Sequence, residues 1–539
     1  MTRPRVAILA QDLVWADRLA RSTEAAGGEP ARAKTAPELD RALVCADHAI
    51  VDLSARAYDP IAAIERARSS GARVLAVGPH DDVPLRKRAF AAGADKVLAY
   101  RKLFEDGPAT IKRWLADSGA GAGSGPPSSP GQEAPPDTGK PVDHSPLQET
   151  APMTIAARPT IPGERYGERL RRLGALGREA GLDAVLIGVG PDLDYLSGYR
   201  AMPLERLTML VVAGDRQPVL IAPRLEEPAA RAGLRTELPI TTWMETDDPH
   251  GIAADLVRAA AGRAGRTLRI AVSDRLTAYH LLRLQAHLPG AEWSSATGVL
   301  RRLRMVKDAD EIELLRLAAE AADRVVDQIA SGRLVGRTEA DVADEVRDRL
   351  RAEGHELAEF AIVASGPNSA SPHHEASERV IRAGEPIVLD IGGALGGYGS
   401  DTTRTLWVTG GDEANGPDEE FRHLFGVLLA AQEAATRVVR PGLAAEAVDR
   451  TARDIIDGEG YGEAFFHRTG HGIGLEGHEE PYLVAGNDEP LEAGMAFSVE
   501  PGIYLTGRYG ARIEDIVICG PDGPITLNRQ PRELRVVAG

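Results

Sequence analysis

The stretch PIVLDIGGALGGYGSDTTRT at residues 386–405 is the most informative part of the chain. Its apolar beginning predicts a β-strand that carries Asp390. The glycine-rich residues 392–399 predict a turn, and the polar end predicts a return strand that carries Asp401. We therefore interpret the stretch as a β-hairpin with one carboxylate on each strand.

A second stretch further along the chain repeats this design. Residues 495–504 predict a strand that carries Glu500, residues 505–510 predict a turn, and residues 511–519 predict a return strand with Glu514. We interpret the two hairpins as related halves of one internally repeated fold.

A histidine-rich run, HRTGHGIGLEGH, lies between the hairpins at residues 467–478. Four carboxylates buried together are prohibitively costly unless cations neutralise them. One histidine added to the four carboxylates makes five ligands, and carboxylates can bridge two ions. The pattern therefore predicts two divalent ions about 3.5–4 Å apart that share a water or hydroxide. Oxygen-rich ligation favours Mn²⁺, with Co²⁺, Zn²⁺ or Fe²⁺ as alternatives.

Two other patterns in this part of the chain carry little weight. Residues 472–477 fit the dinucleotide fingerprint, but a polar run precedes them instead of a strand, and no ribose-binding acid is evident. The run HHE at residues 373–375 lacks the second histidine of an HExxH zinc helix. His374 and Glu479 fit no motif, and we expect both to be exposed polar residues.

The last part of the chain resembles the pita-bread metallopeptidases, specifically their Xaa-Pro aminopeptidase and prolidase branch. The matching motifs are VLDIGG at 388–393, SDTTR at 400–404, GHGIG at 470–474, VEPG at 499–502 and RIED at 512–515. Residues 161–306 resemble the creatinase-type N-terminal domain that precedes this catalytic domain. The resemblance implies an α/β domain followed by an α+β pita-bread domain.

The resemblance also implies which residues bind the metal ions. Asp390 would bind one ion, His471 and Glu500 would bind the other, and Asp401 and Glu514 would bridge both. Two bridging carboxylates would hold the ions close enough to lower the pKa of a shared water.

Further roles follow from the same resemblance. Glu500 would also accept a proton, and His373 would contact the substrate and shuttle a proton. His478 would steady the carbonyl oxygen, and His467 and Arg512 would order the site around the ligands or contact the substrate.

Residues 1–117 alternate short apolar runs with helical patterns, which predicts a parallel, doubly wound α/β domain. The order of the elements and the run AAGAD at residues 91–95 resemble a response-regulator receiver domain, in which Asp52 matches the phospho-acceptor. Gly78 and Tyr100 stand where receivers have Ser or Thr and a Lys. We therefore predict a degenerate receiver-like domain, with Asp52 as its candidate phosphorylation site.

Residues 118–160 predict a flexible linker. Gly, Ala, Ser and Pro make up 23 of residues 118–152, and such a stretch cannot offset its ordering entropy by burial. The chain of 539 residues is therefore expected to consist of the receiver-like domain, this linker, a creatinase-type domain at 161–306 and a catalytic domain at 307–539.

Composition excludes several other classes of protein. The net charge of −17 argues against a nucleic-acid partner, which would need a basic face. No stretch approaches the length of apolar sequence that a membrane span requires. Cys45 and Cys519 are too few and too far apart to form a disulfide framework, so we expect a cytoplasmic protein.

The resemblance implies a metallopeptidase that cleaves Xaa-Pro bonds by a hydroxide bridging two metal ions, with a proline-containing peptide as substrate. The resemblance also implies a homodimer. Aminopeptidase and dipeptidase specificities both stay open, although the lack of an evident unmatched arginine near Pro481 and Tyr482 favours longer substrates. One alternative is a non-peptidase relative that acts on a small amide, amidine or sulfonium compound. Another is a binding or scaffold protein, which the intact ligand spacing disfavours.

Overall fold

In a computed structural model, the chain divides into two units, Met1–His144 and Ser145–Gly539. The structure describes residues 3–10, 13–33, 35–53, 58–78, 83–99, 110–115, 159–261 and 266–539. Tyr100 and all but the last two residues of the predicted linker 118–160 lie outside this description.

The first unit contains a five-stranded parallel sheet with the strand order β2-β1-β3-β4-β5. The strands are β1 Arg5–Leu9, β2 Glu29–Ala33, β3 His48–Asp52, β4 Arg73–Gly78 and β5 Lys96–Ala99. The helices are α1 Leu13–Ala25, α2 Ala36–Leu43, α3 Pro60–Ser69 and α4 Val83–Ala91. Val6 and Ile8 belong to one apolar cluster, and Ala7 and Leu9 to another. Side chains alternate across a strand, so both faces of this sheet are covered.

The predicted alternation of strands and helices is present in the first unit, but the sequence does not reveal β2 and α2. The strand β2 has the sequence EPARA, which contains no large apolar residue and therefore gives no strand signal. The strand order is the one that flavodoxin-like sheets share. Asp52 is the buried last residue of β3.

The N-terminal part of the second unit is an α/β domain around a mixed six-stranded sheet with the order β11-β10-β6-β7-β8-β9. Its strands are β6 Ala184–Ile187, β7 Met209–Ala213, β8 Val219–Pro223, β9 Ile240–Trp243, β10 Arg269–Val272 and β11 Glu292–Ser295. Its helices are α5 Gly163–Glu179, α6 Pro191–Ser197, α7 Glu227–Gly233, α8 Pro249–Ala261, α9 Ala278–His287 and α10 Thr297–Arg304.

The C-terminal part of the second unit is α+β. Its strands are β12 Leu357–Ser365, β13 Glu385–Leu395, β14 Tyr398–Val408, β15 Gly470–Gly472, β16 Glu479–Leu483, β17 Ala496–Val499, β18 Gly502–Leu505, β19 Tyr509–Arg512, β20 Asp515–Gly520, β21 Gly523–Thr526 and β22 Arg535–Val537. They form sheets ordered β12-β13-β14-β22, β16-β15-β17-β20-β21 and β18-β19. Its helices are α11 Ala309–Ala330, α12 Glu339–Ala352, α13 Glu419–Val438 and α14 Ala445–Gly458. Apolar clusters place α11 and α12 against the first sheet, and α13 and α14 against the second.

The first hairpin, β13 and β14, is longer than the sequence predicts. The two strands are joined by Gly396 and Gly397 alone, which adopt φ values of 62° and 87°. Both residues have the positive φ that a two-residue hairpin turn requires. The predicted turn over 392–399 was therefore too wide. Gly392 lies within β13, where a Cβ atom would collide with the ring of Phe360 on the neighbouring strand, so close packing accounts for this glycine.

The second hairpin is interrupted where the sequence predicts continuous strands. One predicted strand divides into β17 and β18 at Glu500 and Pro501, and the other divides into β19 and β20 at Ile513 and Glu514. The strand β17 pairs with β20, whereas β18 pairs with β19 in a separate sheet. Proline donates no backbone hydrogen bond, which favours a break at this position. Both predicted carboxylates of this hairpin therefore lie at breaks.

Among the described residues, no helix is both long and apolar enough to cross a membrane. Cys45 and Cys519 are free thiols, the first exposed and the second buried.

Candidate active site

The site residues that the sequence predicts in the second unit all line one cavity of about 800 Å³. They are His373, Asp390, Asp401, His467, His471, His478, Glu500, Arg512 and Glu514. Pro191 and Arg275 line the same cavity. The N-terminal α/β domain of the second unit therefore forms part of the cavity wall, although its sequence shows no candidate site residue.

Six of these residues form one cluster of potential ligands: the five predicted ligands and His478, which lies in a group with Asp401 and His471. Single ligand atoms of Asp390, Asp401 and Glu514 all lie within 4.8 Å of one another, and the same holds for His471, Glu500 and Glu514. Glu514 belongs to both groups, so the structure brings the predicted carboxylates and one histidine together.

Glu514 reaches the cluster because of the break between β19 and β20. Its backbone N–H donates to the carbonyl of Thr403 at 3.1 Å, and the Thr403 hydroxyl donates to its carboxylate at 2.7 Å. These two bonds fix Glu514 against β14, the strand that carries Asp401.

The carboxylates of the cluster repel one another when no cation is present. Burial raises the pKa of Asp390, Asp401 and Glu514, and the neighbouring carboxylates raise the pKa of each further. Within residues 159–261 and 266–539, the buried atoms Asp390 Oδ1 and Glu514 Oε1 have no hydrogen-bond partner. Unpartnered buried carboxylate oxygens fit divalent cations, which accept such oxygens as ligands.

His471 and Glu500 form the opposite side of the cluster. The atoms His471 Nε2 and Glu500 Oε1 are 3.2 Å apart. Burial alone would raise the pKa of Glu500, but the hydrogen bond and charge of His471 outweigh burial and lower this pKa to about 2. His471 Nδ1 lies 3.2 Å from the carbonyl of Gly472, so Nδ1 carries the proton of this hydrogen bond. In the protonated ring, Nε2 also carries a proton and faces Glu500. Once that proton is lost, Nε2 of the neutral ring can bind a metal ion.

Arg512 ties several parts of the site together. Its buried guanidinium donates to the carboxylate of Asp390, to the Tyr504 hydroxyl at 2.8 Å and to the Pro372 carbonyl at 3.2 Å. The Tyr504 hydroxyl lies 3.0 Å from His467 Nε2. Tyr504 is a site residue that the sequence does not reveal, because a tyrosine in an apolar strand has the same pattern as a core residue.

His373 lies on a loop that a buried carboxylate holds. Glu339, at the start of α12, accepts hydrogen bonds from Ser365, Asn368 and Ser377 and lies 2.8 Å from His374 Nε2. The expectation that His374 is an exposed residue without a role was therefore wrong. Glu339 lies 34 residues before His373 in the sequence, so no local motif connects the two.

His478 stands beside His471, with the two ring centroids 3.9 Å apart. Partial burial of the ring lowers the pKa of His478, and the positive charges of His471 and Arg468 lower it further, to about 4. In this environment the His478 ring is neutral near pH 7 and can donate one hydrogen bond.

Glu479, next to His478, is buried rather than exposed as the sequence suggested. Its carboxylate accepts a hydrogen bond from Lys307 at 2.6 Å and another from Arg304. These cations lie more than 170 residues earlier in the chain, which explains why the sequence gives no sign of the contact.

Two arginines, Arg468 and Arg275, line the active-site cavity. From the sequence, no unmatched arginine was expected near Pro481 and Tyr482. The guanidinium of Arg468 lies over the ring of Tyr482, 4.4 Å from its centroid. Within the described part of the second unit, Arg468 forms no ion pair. Arg275 is paired with Glu476 at 2.6 Å. The expectation that no unmatched arginine lies near Pro481 and Tyr482 was therefore wrong.

Comparisons with known proteins agree with this geometry. Residues 313–521 match the model of metallopeptidase family M24, and residues 169–306 match the creatinase/prolidase N-terminal domain. The chain is 47% identical over 377 residues to a probable dipeptidase PepE of Mycobacterium tuberculosis, covering 69% of this chain and 97% of the relative. It is 34% identical over 351 residues to an Xaa-Pro dipeptidase of Lactobacillus helveticus, covering 64% of this chain and 92% of the relative.

Solved structures agree as well. The crystal structure of dipeptidase PepE from Mycobacterium ulcerans matches with a TM-score of 0.65 at 43% identity and covers 70% of this chain and 99% of its own. A prolidase from Thermococcus sibiricus matches with a TM-score of 0.64 at 35% identity and covers 69% of this chain and 99% of its own. The chain therefore belongs to metallopeptidase family M24, and it is a peptidase with a creatinase/prolidase N-terminal domain.

Proposed function

We propose that this peptidase is an Xaa-Pro dipeptidase, which hydrolyses the bond before proline in a dipeptide. The observation that carries the proposal is the ligand cluster at the base of a cavity that also contains two arginines. A dipeptide has a free carboxylate next to its scissile bond, and Arg468, which lines the cavity, can receive that charge, whereas Arg275 is already paired with Glu476. The names of the relatives in Mycobacterium and Lactobacillus support dipeptides over longer peptides.

We propose that five residues hold two divalent ions, most favourably Mn²⁺. Asp390 would bind one ion, His471 and Glu500 the other, and Asp401 and Glu514 both. The two overlapping groups of ligand atoms and the unpartnered oxygens of Asp390 and Glu514 support this arrangement. When bound, such ions lower the pKa of a shared water and polarise the scissile carbonyl.

Glu500 is assigned a second role besides metal binding, and the residues outside the five proposed ligands are assigned roles from the contacts around them. Glu500 stays ionised beside His471 and is the proton acceptor we propose. The neutral ring of His478 donates a hydrogen bond to the carbonyl oxygen of the substrate, where negative charge develops. His373 contacts the substrate, while Arg512 orients Asp390 and His467 orients Tyr504.

The experiment that tests this proposal compares an Xaa-Pro dipeptide with an Xaa-Pro-Xaa tripeptide, each with added Mn²⁺ and with a chelator. We expect metal-dependent cleavage of the dipeptide and at least tenfold lower kcat/KM for the tripeptide. Preferred cleavage of the tripeptide would show an aminopeptidase. If a protein that contains two metal ions cleaves neither peptide, the proposal is wrong and a small amide, amidine or sulfonium substrate takes its place.

We also infer that the first unit is a degenerate receiver-like domain, attached through the linker 118–160. Its strand order supports this, and a Cβ atom on Gly78 would lie 2.8 Å from Cβ of Leu53. The Ser or Thr of a receiver would therefore crowd the end of β4, so we do not expect efficient phosphorylation of Asp52. A homodimer and a cytoplasmic location complete the proposal, on the family resemblance and the two free thiols.

A further inference from the structure

The segment that carries His478 is a thin wall between two cavities. The active-site cavity lies on one side, and a second cavity of about 440 Å³ lies on the other. Arg275, Glu476 and His478 line both. Glu476 and His478 border open space on both sides, so apolar packing alone does not hold these two residues in place. Their neighbours are better supported, since Leu475 packs against apolar clusters and Glu479 begins β16.

The glutamates on either side of His478 are instead held by cations from outside the catalytic domain's sheets. Lys307 and Arg304 bind the Glu479 carboxylate, and the side chains of Lys307, Arg304 and Glu479 are only 1%, 10% and 8% exposed. Arg304 also binds Glu476 at 2.9 Å, and Arg275 binds the same carboxylate at 2.6 Å. The segment is therefore attached on both sides of His478 to residues of the N-terminal domain and of the connection that follows it.

The geometry of Glu479 links this network to the metal cluster as well. A Cβ atom on Gly474 would lie 2.5 Å from Oε1 of Glu479, so the carboxylate lies directly against the backbone that follows His471. Buried ion pairs contribute little net stability, but removing one partner leaves an unpaired buried charge and disrupts the local geometry. Such a pair is better suited to specifying a position than to stabilising the fold.

We propose that Glu479, held by Lys307 and Arg304, is a positioning residue that sets the place of the His478 ring in the active site. The proposal rests on the role assigned above to His478. It predicts that loss of the Glu479 charge slows the reaction without loss of the metal ions, because the Glu479 carboxylate is paired with Arg304 and Lys307 and with none of the five proposed ligands.

A matched control is available in the same molecule. Glu311 forms an ion pair with Arg169 at 3.3 Å, with both side chains under 5% exposed. This pair also joins the N-terminal domain to the catalytic domain, through α5 and α11. Within the described residues, no hydrogen bond or ion pair of Glu311 or Arg169 reaches residues 475–480. Glu311→Gln therefore tests the loss of one buried carboxylate charge beside an arginine that lies away from His478 and keeps its contact with Asp308.

The experiment compares full-length wild type, Glu479→Gln and Glu311→Gln for kcat, KM, metal content and hydrogen–deuterium exchange of residues 475–483. We expect Glu479→Gln to lower kcat at least tenfold, to change KM less than threefold and to keep its metal content. Exchange of residues 475–483 should become at least fivefold faster. Glu311→Gln should alter neither kcat nor this exchange by more than twofold. An equal loss of kcat in both variants, or an unchanged exchange rate in Glu479→Gln, overturns the proposal.

Lys307 supplies a second test that does not depend on the folding of Glu479→Gln. Lys307→Arg keeps the cation and should keep kcat within threefold of wild type, whereas Lys307→Met should lower kcat at least tenfold. Equal activity of these two variants would overturn the proposal. If the wild type cleaves neither peptide, the proposed function fails, but the exchange of residues 475–483 still shows whether Glu479 holds the segment.

Discussion

Replacing Glu339 by glutamine tests how the His373 loop is held. The buried carboxylate accepts from the backbone N–H groups and hydroxyls of Ser365 and Ser377, from the Asn368 amide and from His374. All of its partners are hydrogen-bond donors. Burial alone would raise the pKa of Glu339, but these bonds outweigh burial and lower it, so the group is an anion at neutral pH.

The cost of Glu339→Gln follows from these donors. A glutamine amide keeps one oxygen and presents an NH₂ group to the partners of the other. The hydroxyl of Ser365 or Ser377 can rotate to accept from this NH₂, but a backbone N–H cannot. One buried N–H therefore loses its acceptor at a cost of about 1–3 kcal/mol. The bonds that stay lose their ionic character, for about 1 kcal/mol more. We expect the free energy of unfolding to fall by about 2–4 kcal/mol, or Tm to fall by about 2–5 °C for a unit that spans Ser145–Gly539.

Calorimetry of the full-length protein measures this change, with kcat measured on the same samples. Asp341→Asn is the matched control, because Asp341 is an exposed capping residue on the same helix and its change should cost under about 1 kcal/mol. We expect Glu339→Gln also to lower kcat, since His373 lies on the loop that Glu339 holds. If Glu339→Gln costs no more than Asp341→Asn, the carboxylate does not organise this loop and the reasoning is wrong.

Three further predictions concern acid stability, the hairpin turn and metal binding. Burial and neighbouring positive groups lower the pKa of His250 to about 4, below its unfolded value of about 6.5, so the folded state binds fewer protons and stability is lost as pH falls through this window. Urea unfolding should show about 2 kcal/mol less stability at pH 5 than at pH 7.5 from this group, and His250→Gln should remove that difference; an unchanged pH dependence in the variant contradicts the assignment. Gly396→Ala should destabilise more than Gly411→Ala in thermal unfolding, since both have positive φ but only at Gly396 would a Cβ atom meet a buried side chain, that of Leu314 at 2.8 Å; equal losses would show that the contact does not matter. Adding Mn²⁺ at about 100 times its Kd to chelator-treated protein should stabilise it by about 2.7 kcal/mol, and Asp401→Ala should abolish this gain, which calorimetry would detect; an equal gain in both proteins would exclude Asp401 as a ligand.

The sequence predicts which residues come together in the candidate ligand cluster, because the signal is local and repeated. A carboxylate inside an apolar strand is costly, so Asp390 and Asp401 stand out from their neighbours without any knowledge of the fold. The same reasoning locates Glu500 and Glu514 but misplaces the strand ends around them. The strand ends depend on which strands pair with each other, and this pairing is a tertiary property that the local sequence does not show. Here β17 pairs with β20, whereas β18 pairs with β19, so both predicted strands are divided.

Glycine has two different structural roles in the first hairpin, which the sequence pattern does not separate. In the first hairpin, glycine serves both as a turn residue, at Gly396 and Gly397, and as a strand residue against which another chain segment packs closely, at Gly392. A single sequence does not distinguish these uses, since both need only the absence of a Cβ atom. The predicted turn over 392–399 was too wide because it treated all of these glycines as turn residues.

The residues whose ion pairs position the segment around His478 match no sequence motif, unlike the proposed metal ligands. A lone Lys307 or Arg304 is typical of a solvated surface residue, and its buried partner Glu479 lies far along the chain. Their importance follows from the cavities on both sides of Glu476 and His478, where apolar packing alone does not hold the segment and charged contacts add attachments. The N-terminal domain of the second unit thus supplies Arg304 and Arg275 to a site whose proposed metal ligands all belong to the C-terminal part of that unit. Disturbing that domain should therefore act on catalysis through His478 and leave metal binding intact.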